Sequence, residues 1–282
     1  MKFGVSSYSF SQLLRSGKET QLSLIKKAKE MGFDGIEFTD LTPPEGVSEN
    51  DYASLLREES EKCNMPIIIY TIGANMLIDT GVDKEVERVC KKVDTAKILG
   101  SGLLRHDAAW DKGKYFSFES ALPVICDGCR RVTEYAKGLG IETMIENHGY
   151  FCQNSERNEK IISLVGSENF GALIDIGNFC CVDESNTDAV RRMLPYVKHI
   201  HAKDFHIKSG SEFDPGKGFF KSGGGNYLRG AIIGQGNVPV YQCLSLIKSS
   251  GYDGFISVEF EGAEDCVYGI STGLENLRKM CE

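Results

Sequence analysis

A repeated unit of helix, glycine and short apolar strand runs through the 282-residue chain and constrains its fold more than any other feature. The unit is clearest in KEMGFDGIEF around Gly32 and in KSSGYDGFISVEF around Gly251. Gly100, Gly140 and Gly166 end three further helical patterns. Glycine readily adopts the left-handed conformation that often follows the last turn of an α-helix, so this recurrence has a backbone cause. The pattern predicts strands that alternate with helices.

Eight strands are predicted from these markers, and amphipathic segments such as QLSLIKKAKEM lie between them. Strands separated by helices pair in parallel. Eight of them in a chain of this length favour a single (β/α)₈ TIM barrel over the alternative, an open doubly wound sheet. No linker or shift in composition marks a boundary, so residues 1–282 are predicted to form one domain. The predicted strands are Phe3–Ser7, Gly35–Thr39, Pro66–Ile72, Gly102–Asp107, Glu142–His148, Phe170–Gly177, Val197–Asp204 and Gly254–Glu261.

One interval, between His206 and Val240, is unusually long and rich in glycine. Long segments without regular structure are uncommon inside compact domains, and they often serve as lids or binding loops. The sequence predicts a loop here, which either takes part in function or is a solvated insertion.

The charge of the chain narrows the classes of partner. A formal net charge of −8 disfavours nucleic acids and anionic membranes, so we expect a small-molecule partner. The amino terminus, MKFGVSSYSF, lacks the apolar run of a signal peptide, and no later stretch is long enough to span a bilayer. These features predict a cytoplasmic protein and leave open whether it forms a homo-oligomer.

Charged side chains and histidines stand at inward positions near the carboxyl ends of the last four predicted barrel strands. Alternate strand residues face the barrel interior, and active sites of such barrels form at this end. A charge inside an apolar strand is costly to bury alone, so a compensating cation is expected. The inward residues predicted on this basis are Glu146 and His148, Asp175, His199, His201 and Lys203, and Glu259.

Four of these residues form a plausible set of metal ligands. Glu146, Asp175, His201 and Glu259 offer three carboxylates and one imidazole, with no thiolate. This hard, oxygen-rich set predicts one divalent ion, for which we expect Mn²⁺, with Mg²⁺, Co²⁺ or Zn²⁺ as alternatives.

Two other glutamates near strand ends are interpreted differently. Glu37 and Glu261 lack the company of other inward acidic residues, so each is expected to form an ion pair with a neighbouring lysine or arginine.

Several segments together resemble the sugar phosphate isomerase/epimerase family of xylose isomerase-like barrels. They are MIENHG, LIDIGN, HIHAKD, GQGNVP and ISVEFEG, and the resemblance is strongest from Glu142 onward. The family includes ketose 3-epimerases, hydroxypyruvate isomerases and inosose dehydratases. The resemblance implies that the same four residues bind the metal ion and that Glu146 and Glu259 also act as acid and base.

The chain departs from the ketose 3-epimerases at two positions. It carries Asn178 and Ile207 where those enzymes have histidine and arginine, which argues against simple ketohexose epimerisation and leaves the metal ligands unaffected. We expect Asn178 to bind substrate together with three basic residues that could orient its hydroxyl or phosphate groups: His106, His148 and Lys203.

The predicted function is a metal-dependent isomerase or epimerase acting on a sugar, a sugar phosphate or a related polyol. Proton transfer next to a carbonyl group would pass through an enediolate. A dehydratase or lyase of the inosose dehydratase type would share this first step. Two further alternatives are a metal-dependent endonuclease, which needs more metal ligands and a basic groove, and a sugar-binding barrel without catalytic activity.

Overall fold

Eight parallel strands close into a barrel in the computed structural model, which describes residues 1–282. Around the barrel, each strand pairs with its neighbour in chain order, and the last barrel strand, β11, closes the ring against β1. The barrel strands are β1 (Lys2–Ser6), β2 (Gly35–Phe38), β3 (Ile67–Ile72), β4 (Leu103–His106), β5 (Glu142–Glu146), β6 (Phe170–Asp175), β7 (Val197–Ala202) and β11 (Phe255–Val258). All eight predicted strands and the TIM-barrel prediction are confirmed.

Helices surround the barrel on its outer side. Short 3₁₀ helices at Ser7–Phe10, Asn178–Val182 and Leu194–Tyr196 complete the connections. No helix combines the length and the apolar character that crossing a bilayer requires. The α-helices are α1 (Ser11–Arg15), α2 (Gln21–Glu30), α3 (Glu49–Cys63), α4 (Val82–Leu99), α5 (Phe118–Gly138), α6 (Ser155–Val165), α7 (Asn186–Met193), α8 (Val240–Ser249) and α9 (Cys266–Cys281).

The glycines that mark the repeated unit do have the predicted backbone conformation. Gly32, Gly100, Gly140, Gly166 and Gly251 have φ angles of 88°, 77°, 71°, 64° and 82°. A side chain is strained in this left-handed region, which explains why glycine recurs where helices α2, α4, α5, α6 and α8 end.

Apolar side chains fill the barrel below its carboxyl end. Ile69, Met144 and Leu173 form a buried cluster that is separate from the large core between strands and helices. A Cβ atom on Gly4 or on Gly35 would lie 2.5 Å from a methyl group of Ile68, so glycine at both positions leaves room for that side chain. The polar residues described below therefore lie above a packed floor.

The glycine-rich interval is not a loop throughout, contrary to the sequence prediction. It contains a small antiparallel sheet, here called the side sheet, with strand order β8-β10-β9. Its strands are β8 (Asp204–Lys208), β9 (Phe220–Lys221) and β10 (Tyr227–Ala231). Only Lys203 separates β8 from the end of barrel strand β7, so the side sheet begins at the rim of the barrel.

The side sheet is fastened to the barrel by one buried carboxylate. Asp204 accepts hydrogen bonds from four backbone N–H groups, those of Phe205 (2.8 Å), Gly234 (2.9 Å), Gly236 (2.9 Å) and Val238 (3.0 Å). Buried N–H groups left without partners are costly, so this carboxylate stabilises the return of the chain to α8.

Candidate metal and substrate site

The four side chains predicted as metal ligands come together at the carboxyl end of the barrel. Glu146 and Asp175 are the last residues of β5 and β6, His201 lies near the end of β7, and Glu259 directly follows β11. All four are buried, and one potential ligand atom from each lies within 4.8 Å of the others. Parallel strands direct their carboxyl ends to the same rim, which explains how residues distant in sequence converge.

The donor atoms in this four-ligand group fit a divalent cation. His201 Nδ1 is buried without a hydrogen bond, 3.6 Å from Glu259 Oε1 and 3.9 Å from Glu146 Oε1. Asp175 Oδ1 accepts hydrogen bonds from the N–H groups of Gly177 (2.8 Å) and Asn178 (2.9 Å), which fixes the orientation of this carboxylate. Buried acidic groups this close together repel one another, and a cation would offset that repulsion.

Glu37 orients the imidazole of His201. Its Oε2 lies 2.9 Å from His201 Nε2 and 3.3 Å from His199 Nε2, and the carboxylate is fully buried. The expected ion pair with a lysine or arginine is therefore wrong for Glu37, because this strand end faces two histidines. A hydrogen bond from Nε2–H to the carboxylate leaves Nδ1 free to bind a metal ion.

We expect Glu37→Gln to weaken Mn²⁺ binding by about 10–100-fold, because a neutral amide holds the imidazole less firmly and makes Nδ1 less basic. Isothermal titration calorimetry measures the affinity. Ser257→Ala is a matched control, since Ser257 Oγ contacts His199 (2.9 Å) rather than a predicted ligand. Equal affinities for wild type and Glu37→Gln would contradict this role.

Lys203 places a buried ammonium among the carboxylates. Its Nζ lies 2.6 Å from Glu259 Oε2, 3.0 Å from Asp175 Oδ2 and 3.2 Å from Glu261 Oε1. Burial lowers the pKa of Lys203, but the carboxylates of Asp175 and Glu259 raise it by more than burial lowers it. The pKa of Lys203 therefore lies well above its usual value. The ammonium of Lys203 therefore stays charged, and the predicted ion pair of Glu261 is with this lysine.

The same contacts hold Glu259 in its ionised form. Burial raises the pKa of Glu259, but Lys203 and His201 lower it more, and its pKa lies well below the usual value. The side chain of Glu259 therefore carries a negative charge, which it needs in order to bind a cation.

Arg105 is a second buried cation in the site, and the sequence analysis did not identify it. One of its nitrogens, Nη2, lies 2.7 Å from Glu146 Oε2 and 2.7 Å from Asp107 Oδ1, while Nη1 donates to the carbonyl oxygen of Ile72 (3.1 Å). The signal was available in LLRHD, where Arg105 stands at an inward position of an otherwise apolar strand.

His106, predicted to bind substrate, is not brought to this group. It follows Arg105 on β4 and faces the opposite side of the strand. Its ring is fully buried and stacks on Phe170, with the ring centroids 6.1 Å apart. Phe170 belongs to the core between strands and helices, so His106 packs there and does not reach the cavity.

The other predicted substrate-binding residues lie close to the four-ligand group. Lys203 lines the cavity, and so does His148, whose Nδ1 lies 2.9 Å from Asp107 Oδ1. Asn178 is buried behind the cavity; its amide donates to Glu146 Oε1 (3.0 Å) and accepts from Lys203 Nζ (3.0 Å). Asn178 therefore contacts Glu146 and Lys203 rather than facing the cavity.

The cavity above the four-ligand group has a volume of about 270 Å³. Tyr8, Thr39 and Thr71 supply hydroxyl groups to its wall, beside the charged residues. Small-molecule pockets of about this size, with a few convergent polar groups, are typical of binding sites for compact ligands. The walls offer many hydrogen-bonding groups and few apolar ones, which suits a polyol.

Comparison with known proteins agrees with this fold. The family model for the xylose isomerase-like TIM barrel matches residues 25–280. Inosose dehydratase from Clostridium perfringens is 25% identical to this chain over 152 residues. The matched part is 53% of this chain and 50% of that relative, so the chain spans about half the length of this relative. Inosose dehydratase from Mesomycoplasma hyopneumoniae is 22% identical over 255 residues, 84% of this chain and 80% of that protein. A solved D-psicose 3-epimerase from Clostridium cellulolyticum has a TM-score of 0.77 at 15% identity, covering 100% of both chains.

Proposed function

Because this chain belongs to the xylose isomerase-like TIM barrel family, we propose that it is a metal-dependent enzyme that removes a proton next to the carbonyl group of a small sugar-like polyol. The observation that carries the proposal is the four-ligand group, in which Glu146 at the end of β5 and Glu259 just after β11 face one polar cavity. We expect one ion, Mn²⁺ by preference, at Glu146, Asp175, His201 and Glu259. When bound, such an ion acts as a Lewis acid that stabilises negative charge on a carbonyl oxygen.

Residues of the chain remove the proton from carbon and donate hydrogen bonds to the substrate. Glu259, held ionised by its cationic neighbours, or Glu146, paired with Arg105, takes the proton from carbon. Lys203 and His148 reach the same cavity as proton donors and hydrogen-bond donors to substrate hydroxyls. If the proton returns to carbon, at the same or a neighbouring position, the enzyme is an isomerase or an epimerase.

Loss of water is the second candidate outcome, and the position of Lys203 favours it. Its ammonium lies 2.6 Å from Glu259, so a base and a charged acid lie side by side. In a dehydration, the base takes a proton from carbon, the C–O bond of a neighbouring hydroxyl breaks, and the acid protonates the departing oxygen. Relatives that cover most of this chain carry the name inosose dehydratase, which supports the same outcome.

Proton exchange in D₂O tests the proposal. We expect the Mn²⁺-loaded protein, incubated with ketoses, aldoses, inososes and their phosphates, to replace one carbon-bound proton of its substrate with deuterium, detected by NMR. Appearance of an epimer or isomer identifies proton return, and appearance of an unsaturated product identifies dehydration. The absence of both exchange and product formation with every member of the panel would contradict the proposed function.

A further inference from the structure

A second cavity lies beside the one above the four-ligand group. It has a volume of about 340 Å³, and Tyr8 and Glu261 line both cavities, so the two adjoin each other at these residues. We call the cavity above the four-ligand group the inner cavity and the second one the outer cavity. Small-molecule pockets usually span roughly 300–1,000 Å³, and the two cavities together accommodate more than one compact ring.

Aromatic side chains form part of the wall of the outer cavity. Tyr8 and Phe220 are 40% and 38% exposed, and Phe260 lies buried beside them. Exposed aromatic faces bind flat rings, either aromatic rings or the apolar faces of sugars. The inner cavity has one aromatic residue, Tyr8, so the outer cavity differs from it in chemistry.

The charges around the outer cavity argue against a phosphate group there. Arg15 is its one cationic lining residue, and the carboxylate of Glu261 stands in the same wall. Arg15 has no ion pair or hydrogen bond through its guanidinium, which leaves it able to donate to a neutral hydroxyl or ether oxygen. A phosphate would meet one cation and one anion, whereas phosphate sites usually combine several donors.

The wall formed by the side sheet is fixed in place. Phe220 packs edge-on against buried Phe205, with ring centroids 5.8 Å apart. Gly230 of β10 forms a backbone bridge with Gly262, and a Cβ atom on Gly230 would lie 2.4 Å from the backbone of Glu261. The side sheet therefore sits directly against the carboxyl end of β11, where the inner cavity begins.

We infer that the outer cavity is a second substrate subsite, which takes a neutral ring joined to the reacting sugar by a glycosidic bond. This inference rests on the proposed function, because the reacting sugar occupies the inner cavity beside the four-ligand group. The attached ring then extends past Tyr8 and Glu261 and lies against Phe220. The substrate on this view is a glycoside rather than a free monosaccharide.

Binding of three probes to the Mn²⁺-loaded protein tests the inference. They are phenyl β-D-glucopyranoside, cellobiose and methyl β-D-glucopyranoside, measured by isothermal titration calorimetry. The phenyl compound and cellobiose carry an aromatic ring and a second sugar ring, and methyl glucoside carries neither. We expect at least one of the two larger probes to bind about fivefold tighter than methyl glucoside, the effect of one stacked ring.

Variants of Phe220 show whether that preference comes from the outer cavity. Phe220→Ala should remove it, and Phe220→Leu, which retains packing against Phe205, should remove it without disturbing the fold. Phe213→Ala is a matched control, because Phe213 belongs to the same excursion of the chain, is 94% exposed and lines neither cavity. It should keep the preference.

Equal affinity for all three probes, no measurable binding of any, or a preference that survives Phe220→Leu would overturn the inference. Deuterium exchange, measured separately, distinguishes failure of the subsite from failure of the proposed function. Exchange without a ring preference contradicts the subsite alone, and a ring preference without exchange contradicts the proposed function alone.

Discussion

Glu259→Gln and Glu146→Gln are each expected to lower the rate of proton exchange by about 10²–10⁴-fold, the usual contribution of a positioned acid or base. Glutamine has nearly the same shape as glutamate but cannot accept a proton from carbon, and it is a weaker metal ligand. The rate is measured by NMR as loss of the carbon-bound substrate proton in D₂O. Circular dichroism and thermal unfolding establish that each variant remains folded.

Glu142→Gln provides the matched control for this experiment. Glu142 lies on β5, the strand of Glu146, but at its opposite end, where it is exposed and pairs with Lys198. The same chemical change there should leave exchange unaltered. Full exchange activity in Glu259→Gln, with the fold intact, would remove the proposed base from the mechanism.

Removal of divalent metal by a chelator is expected to abolish proton exchange, and addition of Mn²⁺ is expected to restore it. The same ion should stabilise the fold, since a ligand present at 100 times its Kd adds about 2.7 kcal/mol to the free energy of unfolding. For a chain of this size that corresponds to a rise in Tm of roughly 4–5 °C. Differential scanning fluorimetry with and without Mn²⁺ measures the rise.

Two histidine variants distinguish the predicted site from adventitious binding. His201→Asn removes the unpartnered Nδ1 and should eliminate the rise in Tm. His206→Asn makes the same change on β8, outside the four-ligand group, and should retain it. A rise in Tm that is equal in both variants, or exchange that persists in the chelated protein, would contradict the assignment of the metal site.

The repeated unit of helix, glycine and strand predicted all eight barrel strands, and alternation within the last four strands predicted that the members of the four-ligand group face inward. Asp175 and Glu259 interrupt apolar strands at inward positions. Because a buried carboxylate is costly without a compensating positive charge, their positions predicted a cation nearby. Alternation predicts which side of its own strand a residue faces, and it did so for both.

The sequence alone does not predict which side chains of non-neighbouring strands contact each other across the barrel. Glu37 and His201 are 164 positions apart, and their hydrogen bond depends on the diameter of the closed barrel. His106 was predicted to bind substrate and Arg105 was not named, whereas the pairing of β4 with β3 and β5 decides which of the two faces inward. The side sheet was missed because β9 has only two residues and glycines surround it.

The four-residue segment from His201 to Asp204 contains three side chains with different roles. His201 faces the predicted metal ion, Lys203 supplies the charged donor, and Asp204 anchors the return of the side sheet. A one-residue insertion or deletion within this segment would reverse the side of the strand on which the residues beyond it lie, and would separate His201 from Lys203 and Asp204. The tip of the side sheet around Phe213 is exposed and lines neither cavity, so changes of length are expected to be tolerated there while the residues at the rim of the barrel keep their positions.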